Sequence, residues 1–308
     1  MIVVVPEILS MLTGTSVPEN DAPLWSADTA YAPGATVLRN HYVYRCLAAS
    51  GATVTGVDPV TSYAGISAKW QLAGISNLYR CLDWYSHTQT TAPAGATEMT
   101  LVCPWPRGST AFALLNMDGV SAHVRIARDA TVYFEREYSL ITANDGWWDY
   151  FFGETRLRRN IVVTSIIPAQ ATLTVTLRGP NPALGMLVAG RQYDFGRRAD
   201  HPGYGKTLDG ASVRTVDYST QEMDNLGVVT HVPRFVTGRV SLDMVVHPRD
   251  VNNVNNLLLK VKKVPALWLG DNGLNSDPLN LFGFLKEVNN SYDSPSGNRY
   301  SLTVEGIA

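Results

Sequence analysis

The sequence predicts a mainly β protein in three folded parts: a small aromatic β module, a β-sandwich or jelly roll, and a C-terminal α+β domain with one helix on an antiparallel sheet. Three observations predict it. The chain of 308 residues carries 25 glycines and 17 prolines among many β-branched and aromatic residues, which favours strands joined by tight turns. Between Glu98 and Gly179, short apolar runs recur roughly every ten residues. One stretch alone, near residue 250, has the three-and-four spacing of an amphipathic helix.

Residues 1–21 are read as an N-terminal arm, apolar through residue 12 and then turn-rich in TGTSVPENDAP. The apolar part is expected either as a first strand and short helix or as a segment docked on a neighbour. Residues 22–76 form the small module. In YAPGATVLRNHYVYRCLA a turn leads into a strand at Thr36–Arg39, a tight turn at Asn40 and His41, and a strand from Tyr42 to Leu47. Alternation puts Tyr42, Tyr44 and Cys46 on one face. A loop rich in Gly and Thr follows, and a third strand begins near Trp70 in KWQLAG. About 50 residues bury little apolar area, so a few rings must supply most of the packing.

Residues 77–179 carry the repeated strands EMTLVCPW, STAFALLNM, SAHVRIARD, TVYFEREYSL, NIVVTSII and ATLTVTLRG, several of them punctuated by turns at Asp118-Gly119, Asp129 and Asn144-Asp145-Gly146. GPNPALG, at 179–185, reads as a linker or sharp corner, because proline cannot donate to a ladder. Residues 180–308 hold further strands and the helix PRDVNNVNNLLLKVKKV. There Val251, Val254, Leu258 and Val261 recur at helical spacing, with Pro248 near the start and Pro265 beyond the end. Trp268, Phe282 and Phe284 are expected in the core of this part.

The formal charge of −2 gives no electrostatic reason to bind nucleic acid. No apolar run approaches the roughly 20 residues of a membrane span, so no membrane insertion is expected. The first residues lack the basic lead and cleavage site of a signal peptide. Three widely spaced cysteines, Cys46, Cys81 and Cys103, suit free thiols in a reducing compartment better than a disulfide framework.

No catalytic, cofactor or metal site is expected. The six histidines have no ligand-spaced companions, and GxSxG, HExxH and Walker A patterns are absent. RRADHPGYGKTLDG resembles a phosphate loop only superficially, since Asp200 stands where the first glycine is required, and it reads as an exposed loop. Glu135, Glu137, Asp145, Asp149 and Glu154 could supply a glycosidase pair. The alternation of Glu135 and Glu137 with Arg136 on the other side is what a solvated strand face looks like, and that reading is preferred to a catalytic pair. The run DGWWDYFFG is different: Trp147, Trp148, Tyr150, Phe151 and Phe152 are too many rings for one loop facing water. They either pack in the core, form a ligand platform, or meet another subunit.

Trp25, Tyr31, Gly34, Val37, Tyr42, Tyr44, Pro59 and Trp70 together resemble the pattern of small chitin-binding-type carbohydrate-binding modules. In that family one or two aromatics stack on sugar while the rest form a minimal core, so Trp25, Tyr31, Tyr42, Tyr44 and Trp70 are candidates for either role. The wider chain, with KWQLAGISNLYRCLDWYSHTQTT, GASVRTVDYSTQEMDNLG and the final YSLTVEGI, resembles virion tail proteins of tailed bacteriophages that carry such a module. The resemblance implies a structural subunit of the tail tip or baseplate, assembled in the host bacterial cytoplasm as a homo-oligomer beside other tail proteins. An alternative implication is a virion protein that recognises a host cell-surface glycan.

Overall fold

The computed structural model describes residues 1–308 except 66, 86, 142–147, 149–150, 152–156, 167–169, 197–202, 209, 224–228, 271–278, 295–296 and 308. The chain is mainly β with a single α-helix among the described residues, as the composition predicts.

The first strand, β1 (Ile2–Pro6), lies in the middle of the protein, between partners far along the chain. The expected arm therefore begins as a central strand. Its continuation is pinned too: the backbone N–H groups of Leu12 and Ser16 donate to the carbonyls of Val102 and Thr100.

The small module is built from β2 (Thr36–Arg39), β3 (Tyr42–Cys46) and β4 (Trp70–Ile75) as a three-stranded antiparallel sheet. Asn40 and His41 turn the first hairpin at φ of 51° and 68°, the left-handed geometry that a two-residue hairpin requires. After a 3₁₀ segment at Asn77–Leu82 come β5 (Thr90–Thr91), β6 (Glu98–Pro104), β7 (Ala111–Asp118), β8 (Ser121–Arg128), β9 (Thr131–Ser139), β10 (Ile161–Val163) and β11 (Thr172–Arg178). Each sequence-predicted strand of this stretch is present. They divide between two sheets: β6, β11, β8 and β9 form one of four strands, while β5, β7 and β10 join a larger one.

That larger sheet is completed by β12 (Ala183–Asp194), β13 (Ser212–Asp217), β16 (Val236–Val246), β17 (Ala266–Leu269), β18 (Asn280–Ser294) and β19 (Gly297–Gly306), with the two-stranded ribbon β14 (Thr220–Met223) and β15 (Val229–Val232) between β13 and β16. Its antiparallel order is β10-β7-β12-β1-β17-β18-β19-β16-β13, with β5 beside β12. GPNPALG makes a corner rather than a free linker. Asn181 there adopts φ 53° and β12 begins two residues later. β12 then pairs with β7 through residues 183–190 and with β1 through 190–194, so one ladder crosses the 179/180 boundary expected from sequence.

Alternation along β1 explains how one sheet serves several cores. Val3 joins a cluster with Phe195, Trp268, Tyr300 and Leu302 beneath helix α1 (Val251–Val261), while Ile2 and Val4 face the opposite layer with Ala113, Val188 and Leu267. The four residues the spacing predicts, Val251, Val254, Leu258 and Val261, are the ones the helix buries. Further along, the four-stranded sheet closes over β7, β10 and β12 through Leu101, Phe112, Val124, Ile161, Leu173 and Leu187. This is a sandwich whose second layer belongs to the large sheet.

Trp268 and Phe282 are buried, but Phe284 is not. It shares the face of Phe282 and lies two residues further along β18, opposite the charged Glu305, where the apolar layer stops. The 203–208 stretch also departs from the exposed loop expected. Gly205 N–H and Leu208 N–H donate to the carbonyls of Val245 and Asp243, laying this segment along β16.

All three cysteines are unpaired and buried. Loss of hydration on burial pushes the Cys81 and Cys103 thiols up to about 12. Native protein at pH 8 is therefore expected to react negligibly with a disulfide reagent at these two sites, and fully once unfolded in guanidinium. The linkage has a sign. An unfolded thiol ionises near pH 9 and the folded one only near 12, so both thiols contribute stability that falls as pH rises through that window. A denaturant midpoint unchanged between pH 8 and pH 11 would contradict this burial.

Candidate functional site

Three of the five rings proposed for the module are its core. Trp70 is fully buried, its indole N–H donating to the carbonyl of Val57 at 2.9 Å, and Tyr31 meets it edge-on at 5.3 Å and 69°. The Tyr31 hydroxyl accepts from Ser26 N–H at 2.7 Å, and Tyr44 packs beside Val37, Cys46 and Val54. This is the arrangement of structural rings, with Trp70 and Tyr31 satisfied at their polar tips and meeting at an angle rather than coplanar. Leu38 is buried beside them, whereas Leu47 and Leu72 are exposed. Trp25 is half-buried with the Arg39 guanidinium 4.8 Å from its ring centre, and Arg39 in turn pairs with Asp58 at 3.3 Å.

Tyr42 stands apart at 40% exposure. It shares the face of Tyr44 but begins the strand, where the β3–β4 register shifts between Val43 and Tyr44 and Ala73 is left as an extra residue. Beyond it opens a cleft of about 850 Å³ between the module and the segment after the 3₁₀ turn. Tyr42 and Leu72 line one wall, Trp84 and Tyr85 the other, with Asp21, Arg80, Asp83 and Thr88 among the polar lining.

The module is held against that segment by short polar contacts. Ser76 Oγ donates to Glu19 Oε1 at 2.7 Å, His41 Nδ1 lies 2.9 Å from the same oxygen, and the His41 ring sits 3.8 Å from that of Tyr79. Asp21 Oδ2 accepts from Asn77 N–H at 2.9 Å. Partial burial raises the Asp83 carboxyl above its ordinary value, against the lowering effect of its bonds to Thr88 and Tyr85 N–H. Trp84 and Tyr85 were not singled out in the sequence. Their only signal is a Trp-Tyr pair inside the polar stretch LDWYSHT, where no alternation gives either ring a core to enter.

A second surface lies on the β14–β15 ribbon and the strands that lead into it. Every residue of β15 is exposed, and Met223, Val229, Val232, Phe235 and Val236 present apolar side chains to solvent. At the base of the ribbon the Tyr218 and Phe235 rings meet at 4.9 Å, and the Tyr218 hydroxyl donates to Glu305 Oε1 at 2.5 Å. Arg239 bonds the other oxygen of Glu305 at 2.7 Å. These bonds hold the Glu305 carboxyl below its usual range. Residues 224–228, between β14 and β15, lie outside the described residues.

In the DGWWDYFFG run, Trp148 and Phe151 are exposed rather than in the core, while Trp147, Tyr150 and Phe152 lie outside the described residues. So do Asp145, Asp149, Glu154 and His201. Glu135 and Glu137 sit on the outer face of the four-stranded sheet, where Glu135 approaches His123 at 3.2 Å and Glu137 approaches Arg178 at 3.6 Å. Among the described residues no group of three or more His, Cys, Asp or Glu could hold a metal ion, and no helix is long and apolar enough to cross a membrane. Compared with protein-family profiles, characterised proteins and solved structures, the chain matches none.

Proposed function

We propose that this chain is a non-enzymatic structural subunit of a bacteriophage tail tip or baseplate, assembling with copies of itself and with neighbouring tail proteins. On this reading it is made in the host bacterial cytoplasm and ends in the virion tail. The observation that carries the assembly part is the exposed apolar ribbon. Strand ribbons that present unpaired edges and apolar side chains invite pairing with another chain, and monomeric proteins blunt them with charge, proline or bulges. Here Met223 is 72% exposed and Val229 56% exposed, on strands that, among the described residues, pair only with each other. β13, at the foot of the ribbon, is also an end strand of the large sheet.

A ribbon on one copy meeting a different surface on the next is a heterologous contact, and such contacts close into rings when the rotation allows. That geometry suits a subunit arranged around a tail axis. The resemblance of the chain to tail proteins supplies the biological setting, and the ribbon supplies the means.

Light scattering on the purified chain is expected to give one species at several times the mass of a single chain. The double variant Met223→Ser, Val232→Thr is expected to shift it towards single chains without changing its circular dichroism. A wild-type chain that stays single at high concentration would refute self-assembly through this surface.

A further inference from the structure

A ribbon that grips a neighbour needs a receiving surface on that neighbour. By the register of β14 and β15, Met223 and Val229 lie opposite each other at the end of the ribbon farther from the large sheet, on one face. Val232 lies opposite Thr220 on the other face. Both faces therefore carry exposed apolar side chains. Such a strand pair suits a hollow with two walls, because a flat surface would cover only one face.

The cleft beside Tyr42 has two walls of the matching chemistry. Tyr42 and Leu72 line one and Trp84 and Tyr85 the other, around about 850 Å³, and all four side chains are exposed. Trp84 is held at φ +67°, a conformation bulky residues rarely adopt. Its turn is fixed by Tyr85 N–H, which donates to Asp83 Oδ1 at 2.8 Å, and by the Thr88 hydroxyl, 2.7 Å from Asp83 Oδ2. Backbone strain of this kind concentrates at binding sites and switch regions. The cleft lining also includes Arg80. Trp, Tyr and Arg are the residues that dominate protein–protein contacts, and they act in pockets that receive side chains of the partner. Methionine suits such a pocket, since its thioether is flexible and makes favourable contacts with aromatic rings.

Charge points the same way. Asp21 and Asp83 stand against Arg80 in the lining, an acidic balance. The ribbon face of Met223 and Val229 carries Gln221 and His231 besides and no carboxylate, with Glu222 on the opposite face. Arg234 is exposed at the foot. A small ligand in the cleft would leave Met223 and Val229 bare, whereas a second copy covers both surfaces at once.

We propose that the ribbon of one copy enters the Tyr42–Trp84 cleft of the next. Met223 and Val229 then lie against the rings of Trp84, Tyr85 and Tyr42, with His231 and Arg234 towards Asp21 and Asp83. On the self-assembly reading above, on which this rests, the receiving surface is the joint between the small module and the segment that follows it. Ribbon and cleft are different surfaces, so the contact runs head to tail and each inner copy uses one of each.

The test is complementation between two variants of the full chain, read by native mass spectrometry. Met223→Ser, Val232→Thr removes an apolar side chain from each face of the ribbon. Trp84→Gly removes a ring from the cleft at a position whose backbone conformation glycine adopts freely. Wild type is expected as oligomers and each variant alone as single chains, the contact being weakened about thirtyfold or more by loss of a ring of this kind. Mixed in equal amounts, the two are expected to form pairs and nothing larger, because one intact ribbon and one intact cleft remain between them. Those pairs would also show that both variants are folded. Tyr42→Ala in place of Trp84→Gly should give the same result. If Trp84→Gly and Tyr42→Ala both assemble like wild type, the cleft is overturned as the receiving surface and self-assembly through the ribbon still stands. Variants that are single alone and stay single when mixed would also overturn the contact, as would mixtures that build assemblies larger than pairs. A wild-type chain that stays single at high concentration would remove the self-assembly reading itself, and this contact with it.

Discussion

Val4→Asp is expected to leave little folded protein at 25 °C, with a loss of at least about 4 kcal/mol. Burying an unpaired carboxylate is among the few single changes that cost so much. Val4 is fully buried in the middle of β1, opposite Gln192 on one side and Leu267 on the other. It packs with Ala113, Val188 and Leu267, contacts that join residues separated by most of the chain. Val4→Ala, which removes methyl groups without adding charge, should cost about 2 kcal/mol in guanidinium denaturation. If Val4→Asp folded with near-wild-type stability, β1 would not be the central strand of the large sheet. Residues 1–6 would then be the arm that their sequence position suggests.

Trp70→Ala is expected to cost the small module about 3–5 kcal/mol, the range for deleting a buried large ring. The module core is a separate cluster of six buried side chains, and Trp70 is the largest of them. With the ring gone, Tyr31 loses its edge-on partner and the Val57 carbonyl loses its donor. The signature should be local: amide signals from residues 22–75 collapse in an NMR spectrum while those of the large sheet persist. Trp70→Phe should keep part of the packing, lose the hydrogen bond to Val57, and cost less than Trp70→Ala. Equal loss of signals throughout the chain would show that the module and the sheet fold as one cooperative unit.

Much of the fold was legible because period-two alternation is a local signal. The strands of the sandwich, the Asn40-His41 turn and the four buried positions of α1 all follow from spacing along a few residues. Pairing is not local. Nothing within Ile2–Pro6 tells that its partners are β12 and β17, and a run of five apolar residues reads equally well as a docked arm. The same limit applies at Gly179, where proline and glycine mark a change of direction without saying that the chain re-enters a shared sheet.

The functional surfaces were legible in part. The aromatic pattern of the module could be seen, but whether a ring faces inward depends on how three strands close around Trp70. Tyr42 and Tyr44 share a face in sequence and still differ tenfold in exposure, 40% against 4%, because only one lies under the loop that carries Val54 and Val57. Trp84 was missed because its exposure goes with a backbone conformation, φ +67°, which residue identity does not disclose. The ribbon was missed for the opposite reason: Val229, Val232 and Val236 look like ordinary strand residues until the sheet is seen to leave them uncovered.

On the proposed assembly, the β14–β15 ribbon is where one copy of the chain grips the next. The most direct test places a photo-crosslinking amino acid at Met223, illuminates the purified full chain, and maps the cross-linked peptides. Links between two copies are expected, joining the ribbon to one defined surface of the neighbour and disappearing in the Val232→Thr background. Links that stay within one copy, under conditions where the chain is oligomeric, would contradict it.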